Sequence, residues 1–171
     1  MRAAMVHATG KAVQAGGGRP VPAGNLHVTL AFLGSVPERR LGQLAEIARG
    51  AARGARLELA FDHLEHWRGA QLLCALPTEA PVAIAALVSG LQGALAARGF
   101  APDLKPFRPH VTVVRKVSRA GRIEKIHPVV WSFTELALIE SRTLPEGALY
   151  SVVESYPLCG GIKTANNSET P

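Results

Sequence analysis

Hydrophobic residues recur along the chain with two different periods, which predict helices and strands in turn. Helical spacing predicts an amphipathic helix from Met1 to Gln14, a second helix after the capping-box segment 35–38, and a third that Thr78 caps and that ends at Arg98-Gly99. Strict alternation predicts strands, which we place at residues 25–34, 56–62, 71–76, 110–115, 131–140 and 148–156. The last two strands are predicted to be joined by a turn at Pro145-Glu146-Gly147.

Two of the predicted strands contain the same tripeptide, His-Val-Thr. The first lies in His27-Val28-Thr29-Leu30 and the second in His110-Val111-Thr112-Val113. Successive side chains of a strand point to opposite faces, so each His shares a face with the Thr two residues on. Only about 0.3 His-x-Thr matches are expected by chance in such a composition, so the repetition weighs against coincidence.

Two imidazoles and two hydroxyls that converge on one pocket suit phosphodiester hydrolysis. Attack of water on phosphorus needs one group that takes a proton and another that gives one, and histidine titrates close enough to neutrality for either task. Threonine hydroxyls can donate hydrogen bonds to the non-bridging phosphate oxygens, where negative charge accumulates. This chemistry requires no metal, and the residues alone do not say which imidazole is the acid.

The segments Gly18 to Gly34 and Pro106 to Arg115 resemble the bacterial RNA 2′,3′-cyclic phosphodiesterases, also called 2′-5′ RNA ligases, of the 2H phosphoesterase superfamily. The resemblance extends over about residues 1–158, which we take as one bilobal domain. It implies an α+β fold in which two pseudo-symmetric lobes, each an antiparallel sheet with packed helices, surround a central cleft. The repeated order of helix and His-bearing strand independently indicates an internal duplication.

The resemblance also implies a reaction and a role for each motif residue. RNA ends carrying a 2′,3′-cyclic phosphate would be hydrolysed to a 2′-phosphate, with a weak reverse activity that forms 2′-5′ linkages. His27 would be the general acid and His110 the general base, while Thr29 and Thr112 would hold the phosphoryl oxygens. Arg115 would contact the substrate, although in a regular strand it points away from the His110 face and needs a bulge or a strand end to reach the cleft.

Other polar and aromatic residues near the motifs have weaker signals. Phe107 and Arg108 precede Pro109 in a necessarily extended segment, where they could stack on a base or bind a phosphate, although core packing is the stronger interpretation of Phe107. His63 and His66 lie three residues apart at a strand end and face opposite ways, which disfavours a metal site. We interpret Trp67 as edge packing rather than a platform for a base.

The composition of the chain limits the kinds of molecule that it is expected to bind. The chain has 19 Lys and Arg against 13 Asp and Glu, a net charge of +6 that favours a polyanion such as RNA. Its 2 cysteines lack metal-ligand spacing and suit a reduced, cytoplasmic protein. We predict no cofactor, no membrane segment and no obligate protein partner, and a disordered tail over residues 159–171.

Two alternatives and one discrepancy remain open at this stage. The substrate could instead be ADP-ribose 1″,2″-cyclic phosphate or another small cyclic nucleotide, or the chain could be an RNA-binding module without turnover. The resemblance also implies an apolar strand ahead of the first helix, whereas this chain starts inside the helix. We therefore expect either a natural start about 10–15 residues upstream or an exposed sheet edge that pairs with a second molecule.

Overall fold

Three helices and two antiparallel sheets make up the part of the chain that this computed structural model describes, namely residues 1–53, 57–102, 105–118, 124–144 and 147–158. The helices are α1 (Arg2–Gly16), α2 (Leu41–Ala52) and α3 (Val82–Ala97). The strands are β1 (Arg19–Pro20), β2 (Leu57–Trp67), β3 (Leu72–Leu76), β4 (Val111–Arg115), β5 (Glu124–Phe133), β6 (Glu135–Leu144) and β7 (Gly147–Pro157). Short 3-10 turns cover Ala23–Asn25, Glu38–Arg40 and Arg68–Ala70.

The strands divide into a larger and a smaller sheet. The larger sheet has the order β1-β4-β3-β2-β5, and β6 pairs with β7 in a separate sheet, with every pair antiparallel. Helix α1 lies against β3, β4 and β5, whereas α2 lies against β6, β7 and α3. The predicted α+β fold with two antiparallel sheets is therefore confirmed, although the sheets differ in strand number.

Each sheet has its own hydrophobic core, and the first motif lies where the cores meet. Along β2, Leu57, Leu59 and Phe61 are buried beneath α1 while the residues between them are exposed, as strand alternation requires. A second cluster between α2 and α3 consists of Leu44, Ile47, Leu91, Leu95 and Phe100. Leu30, three residues after His27, packs against both clusters and against the smaller sheet.

The chain passes from one sheet to the other at Thr134, so the single strand predicted over residues 131–140 is wrong. β5 ends at residue 133 in the larger sheet and β6 begins at residue 135 in the smaller one. The buried positions change phase at the same point, from odd-numbered Trp131 to even-numbered Leu136. A change of phase moves the apolar side chains to the other face, which one regular strand cannot accommodate.

The segment around the first motif is extended but is not a strand, which corrects the prediction for residues 25–34. Residues 26–34 form no ladder of hydrogen bonds with any strand in the described part of the chain. Side-chain packing holds it instead: Leu26 is buried, and Val28 packs against the core of the larger sheet. The predicted alternation of faces holds over residues 26–30 without strand pairing, and it breaks at Ala31, which packs against the core next to Leu30 while Phe32 is exposed.

Both predicted helix caps are also wrong. The segment 35–38 forms no side-chain cap, and α2 begins only after a 3-10 turn. Thr78 donates its hydroxyl to Asp62 Oδ1 at 3.0 Å instead of capping α3. The cap position of α3 is Pro81, and a residue before proline is disfavoured in the helical region, so the helix cannot include Ala80.

Two predictions fall on residues that the structure does not describe. The turn at Pro145-Glu146-Gly147 lies largely outside the described residues, since residues 145 and 146 are not among them, and the predicted tail over residues 159–171 lies wholly outside. In the described part of the chain, none of the helices has the length and apolar character needed to cross a membrane.

Candidate active site

The second motif is part of the larger sheet. His110 immediately precedes β4, and Thr112 lies on that strand with its side chain half-buried. Val111, between them, is fully buried on the opposite face. The Thr112 hydroxyl lies 3.8 Å from Cys74 Sγ on β3, where burial raises the pKa of the thiol to about 11. The thiol is therefore neutral and adds no negative charge next to Thr112.

The two imidazoles make the same local hydrogen bond. His27 Nδ1 donates to the Asn25 carbonyl at 2.6 Å, and His110 Nδ1 donates to the Arg108 carbonyl at 2.8 Å. A carbonyl oxygen can only accept, so the proton must be on Nδ1 in each neutral ring. Each Nε2 is then left to accept a proton, or to donate one when the ring is protonated.

A cleft of about 570 Å³ brings the two motifs together. It is lined by Thr29 of the first motif and by His110 of the second, with further walls that include Phe32, Trp67, Lys105 and Phe107. Thr29 is exposed, in keeping with its position on the face opposite Val28. Thr29 and His110, one from each motif, thus line the same space.

The surroundings of His110 favour its neutral form. Burial lowers the pKa of His110 from the ordinary value of 6.5, and the charges of His27 and Arg108 lower it further. The hydrogen bond to the Arg108 carbonyl acts in the opposite direction but does not cancel the shift. His110 is accordingly unprotonated at neutral pH, which is the state that a general base needs.

A β-bulge in β4 places Arg115 on the face of the strand that carries Thr112. Leu73 pairs with Val114 but the next residue, Cys74, pairs with Thr112, so Val113 is an extra residue on β4. Thr112 pairs with Cys74 and Arg115 pairs with Leu72, and these two residues of β3 lie on one face. The bulge restores Arg115 to the face that carries Thr112, which is the condition that the sequence analysis set for its predicted role.

Arg115 also connects the two sheets. Its Nη2 donates to the Tyr150 hydroxyl at 2.9 Å, and Tyr150 is on β7 of the smaller sheet. The Tyr150 ring meets the His27 ring edge-on, with centroids 5.2 Å apart. Sequence analysis missed Tyr150, whose only signal was an aromatic residue with a polar tip near the start of a predicted strand.

Trp67 is a wall of the cleft, so its interpretation as edge packing is wrong. Its ring centroid lies 4.4 Å from that of His110, and the Arg108 guanidinium lies 5.5 Å above the Trp67 ring. Arg108 Nη2 also donates to Glu65 Oε2 at 2.6 Å. The contacts of Trp67 help to bury His110, and Arg108 is held at the rim of the cleft by a carboxylate and an aromatic face.

The remaining sequence candidates divide between the cleft and the rest of the molecule. Phe107 packs against the core of the larger sheet and also lines the cleft, so both interpretations of this residue apply. Arg19 pairs with Arg115 in the β1–β4 register, which places it on the same face of the sheet. His63 Nδ1 lies 2.7 Å from Asp62 Oδ1, away from the cleft. Within the described ranges, no cluster of three or more His, Cys, Asp or Glu could hold a metal ion.

Comparison with known proteins places both motifs in one family. Residues 3–71 and 75–150 match the family model for LigT like Phosphoesterase. The chain belongs to this family. Among its LigT-like relatives, an RNA 2′,3′-cyclic phosphodiesterase of Thermus thermophilus is 32% identical over 173 residues, which span 94% of this chain and 85% of that protein.

Two comparisons with Escherichia coli proteins agree with this assignment. An RNA 2′,3′-cyclic phosphodiesterase is 34% identical over 106 residues, or 62% of this chain and 60% of that protein. The crystal structure of E. coli LigT complexed with 3′-AMP superposes with a TM-score of 0.80 at 28% identity, covering 92% of this chain and 90% of that one. The resemblance inferred from the two His-Val-Thr segments is confirmed.

Proposed function

We propose that this LigT-like phosphoesterase hydrolyses the 2′,3′-cyclic phosphate at the end of an RNA to a 2′-phosphate. The observation that carries the proposal is the pair of imidazoles with the same kind of Nδ1 hydrogen bond, each with a threonine two residues on, in two motifs that meet at one cleft. Relatives that cover most of the chain bear the name of this activity. The net charge of +6 suits an RNA partner.

The reaction starts at His110. Its Nε2 takes a proton from water as the water oxygen attacks phosphorus, and the lowered pKa of His110 keeps this nitrogen free at neutral pH. The proton stays on Nδ1 and keeps its hydrogen bond to the Arg108 carbonyl throughout, so the ring does not rotate during the transfer.

His27 completes the reaction on the other side of the phosphorus. As the bond from phosphorus to the 3′-oxygen breaks, His27 Nε2 gives its proton to that oxygen, which leaves as a hydroxyl group. The phosphate remains on the 2′-oxygen, and exchange of one proton with solvent at each imidazole restores the starting state. The same steps in the same direction, with an RNA 5′-hydroxyl in place of water, form a 2′-5′ linkage and free the 3′-hydroxyl, which gives weak ligase activity.

Hydrogen-bond donors around the phosphate stabilise the charge that develops. Thr29 and Thr112 donate from the two walls of the cleft, and Arg115 donates the N–H groups that are not bonded to Tyr150. Arg108, held at the rim by Glu65, and Phe107 in the cleft wall contact the nucleotide. No step of the proposed reaction uses a metal or cofactor. The cytoplasmic location of the protein stays a prediction.

The test is turnover of a short oligonucleotide that ends in a 2′,3′-cyclic phosphate, followed by 31P NMR. We expect a single product with phosphate on the 2′-oxygen. ADP-ribose 1″,2″-cyclic phosphate in a parallel reaction tests the small-molecule alternative, and we expect it to react more slowly. Binding of the oligonucleotide without turnover, or a 3′-phosphate product, would contradict the proposal.

A further inference from the structure

Tyr150 contacts both His27 and Arg115. It is half-buried on β7, a strand that pairs with β6 in the smaller sheet. Its hydroxyl accepts a hydrogen bond from Arg115 of the larger sheet, and its ring contacts His27. A substitution of Tyr150 therefore affects two site residues, His27 and Arg115, whose numbers differ by 88.

The ring contact supplies what the local hydrogen bond of His27 lacks. The Nδ1 bond to the Asn25 carbonyl fixes one ring atom, but the segment that carries His27 has no strand ladder to hold it. Tyr150 meets the imidazole at an interplanar angle of 68°, an edge-to-face arrangement that aromatic rings prefer. The tyrosine ring thereby restricts the direction in which His27 Nε2 points.

The hydroxyl contact acts on Arg115 in a separable way. An arginine side chain is long and has many rotamers, and binding a phosphate with it requires that these be restricted. The 2.9 Å bond from Nη2 to the Tyr150 hydroxyl restricts them before substrate arrives. Four of the five guanidinium N–H groups are left for a planar, paired contact with phosphate oxygens.

We propose that Tyr150 is a positioning residue with two separable parts, in which the ring orients His27 for proton transfer and the hydroxyl orients Arg115 for phosphate binding. The inference rests on the proposed function for the identity of the substrate. It predicts that loss of the hydroxyl alone changes KM, whereas loss of the ring also changes kcat.

The test compares Tyr150→Phe with Tyr150→Leu on the oligonucleotide substrate. We expect Tyr150→Phe to raise KM by about 3- to 10-fold with kcat within about 2-fold of the wild type, because the ring remains. Tyr150→Leu should show the same rise in KM and also a fall in kcat of about 10-fold or more. In an Arg115→Ala background, Tyr150→Phe should have no further effect on KM.

Tyr156→Phe is the matched control, because it removes the other tyrosine hydroxyl of the chain from the same strand. Tyr156 is buried against α2, away from the cleft, so this variant should have the KM and kcat of the wild type. A melting curve for every variant shows whether it is folded, and Tyr150→Phe decides the hydroxyl part even if Tyr150→Leu does not fold.

A second readout separates this inference from the proposed function. The ring current of Tyr150 shifts the NMR signals of the His27 ring, so Tyr150→Leu should move them while Tyr150→Phe leaves them in place. If the wild type fails to hydrolyse the cyclic phosphate, the proposed function is wrong, and the NMR comparison still decides the ring contact. Wild-type KM and kcat in both Tyr150 variants, or unmoved His27 signals in Tyr150→Leu, would overturn the inference.

Discussion

The two motif segments contain the same residues and make the same imidazole hydrogen bond, yet the structure supports them in different ways. The segment of His110 continues into β4, which has β1 on one side and β3 on the other. The segment of His27 is extended with no strand beside it in the described ranges, and apolar side chains such as Leu26 hold it. The local hydrogen bond thus sets the geometry of each imidazole, whereas the strand pairing and packing of its segment determine how rigidly it is held.

The largest effect on activity is expected when one of the two motif histidines is replaced. Replacing either His27 or His110 with alanine should lower kcat by roughly 10²-fold or more, because each provides a proton transfer in the same transition state. The double variant should be far less impaired than the product of the two single effects, since both residues act as one unit. Single-turnover kinetics of the three variants measure this, and near-wild-type activity in one single variant would remove that histidine from the mechanism.

A smaller effect tests the difference in support. Val111→Ala empties a fully buried site in a paired strand, and should lower the free energy of unfolding by about 2 kcal/mol or more. Val28→Ala, at the matching position of the other motif, should lower it by about 1 kcal/mol, because Val28 is half-buried and can be compensated by small shifts of an unpaired segment. Urea unfolding measures both values. Equal losses would show that the unpaired segment is held as firmly as β4.

The comparison of the two histidines also predicts a difference in pH dependence. His110 must be neutral to act as base, so its lowered pKa puts the acid-side limb of the kcat/KM profile below 6.5. Trp67→Ala exposes His110 and should move that limb upward by a fraction of a pH unit. Trp131→Phe, a change in the core that does not touch His110, is the control and should leave the limb in place.

The same pKa shift affects folding. Because the folded protein favours neutral His110, the unfolded chain binds more protons between the two pKa values. The contribution of this residue to stability is therefore present above 6.5 and is lost as the pH falls through the lower pKa of the folded state. An acid-side limb at or above 6.5 in the wild type would contradict both statements.

Removal of metal ions is the treatment with the smallest expected effect, namely no loss of activity. Turnover of the cyclic phosphate should survive an excess of EDTA, because the two imidazoles and the hydrogen-bond donors of the motifs supply every group that the proposed reaction uses. The rate before and after prolonged dialysis against the chelator measures this. Loss of activity on chelation, restored by a divalent cation, would replace the acid–base pair with a metal-assisted mechanism.

Local patterns in the sequence predicted much of the fold and the core of the site. The alternation of apolar and polar residues gave the faces of His27, Thr29, His110 and Thr112, because side-chain direction in an extended segment depends only on parity. The same patterns located the three helices. At Thr134, where the chain passes between the sheets, the apolar positions of the sequence change phase. Strand-forming residues on both sides of Thr134 made the two strands look like one.

The remaining features depend on partners that are distant in the sequence. The bulge at Val113 is defined by the register with β3, and no property of β4 alone requires it. Trp67 and Tyr150 enter the site because two sheets bring them to His110 and His27, which are more than 40 residues away in each case. Pairings of this kind arise from tertiary packing, which a single sequence does not specify at the level of individual contacts.

The carbonyl groups that orient the two imidazoles have a consequence for mutational tolerance. Every amino acid carries a main-chain carbonyl, so a substitution at Asn25 or Arg108 leaves the acceptor for Nδ1 chemically intact. A histidine that is oriented by an aspartate side chain loses its hydrogen-bond acceptor when that aspartate is replaced. Here the acceptor is a main-chain carbonyl, so the tautomer of the ring does not depend on the side chain at the acceptor position. Replacing Arg108 removes a charge that lowers the pKa of His110, while the acceptor that fixes the tautomer of the ring stays in place.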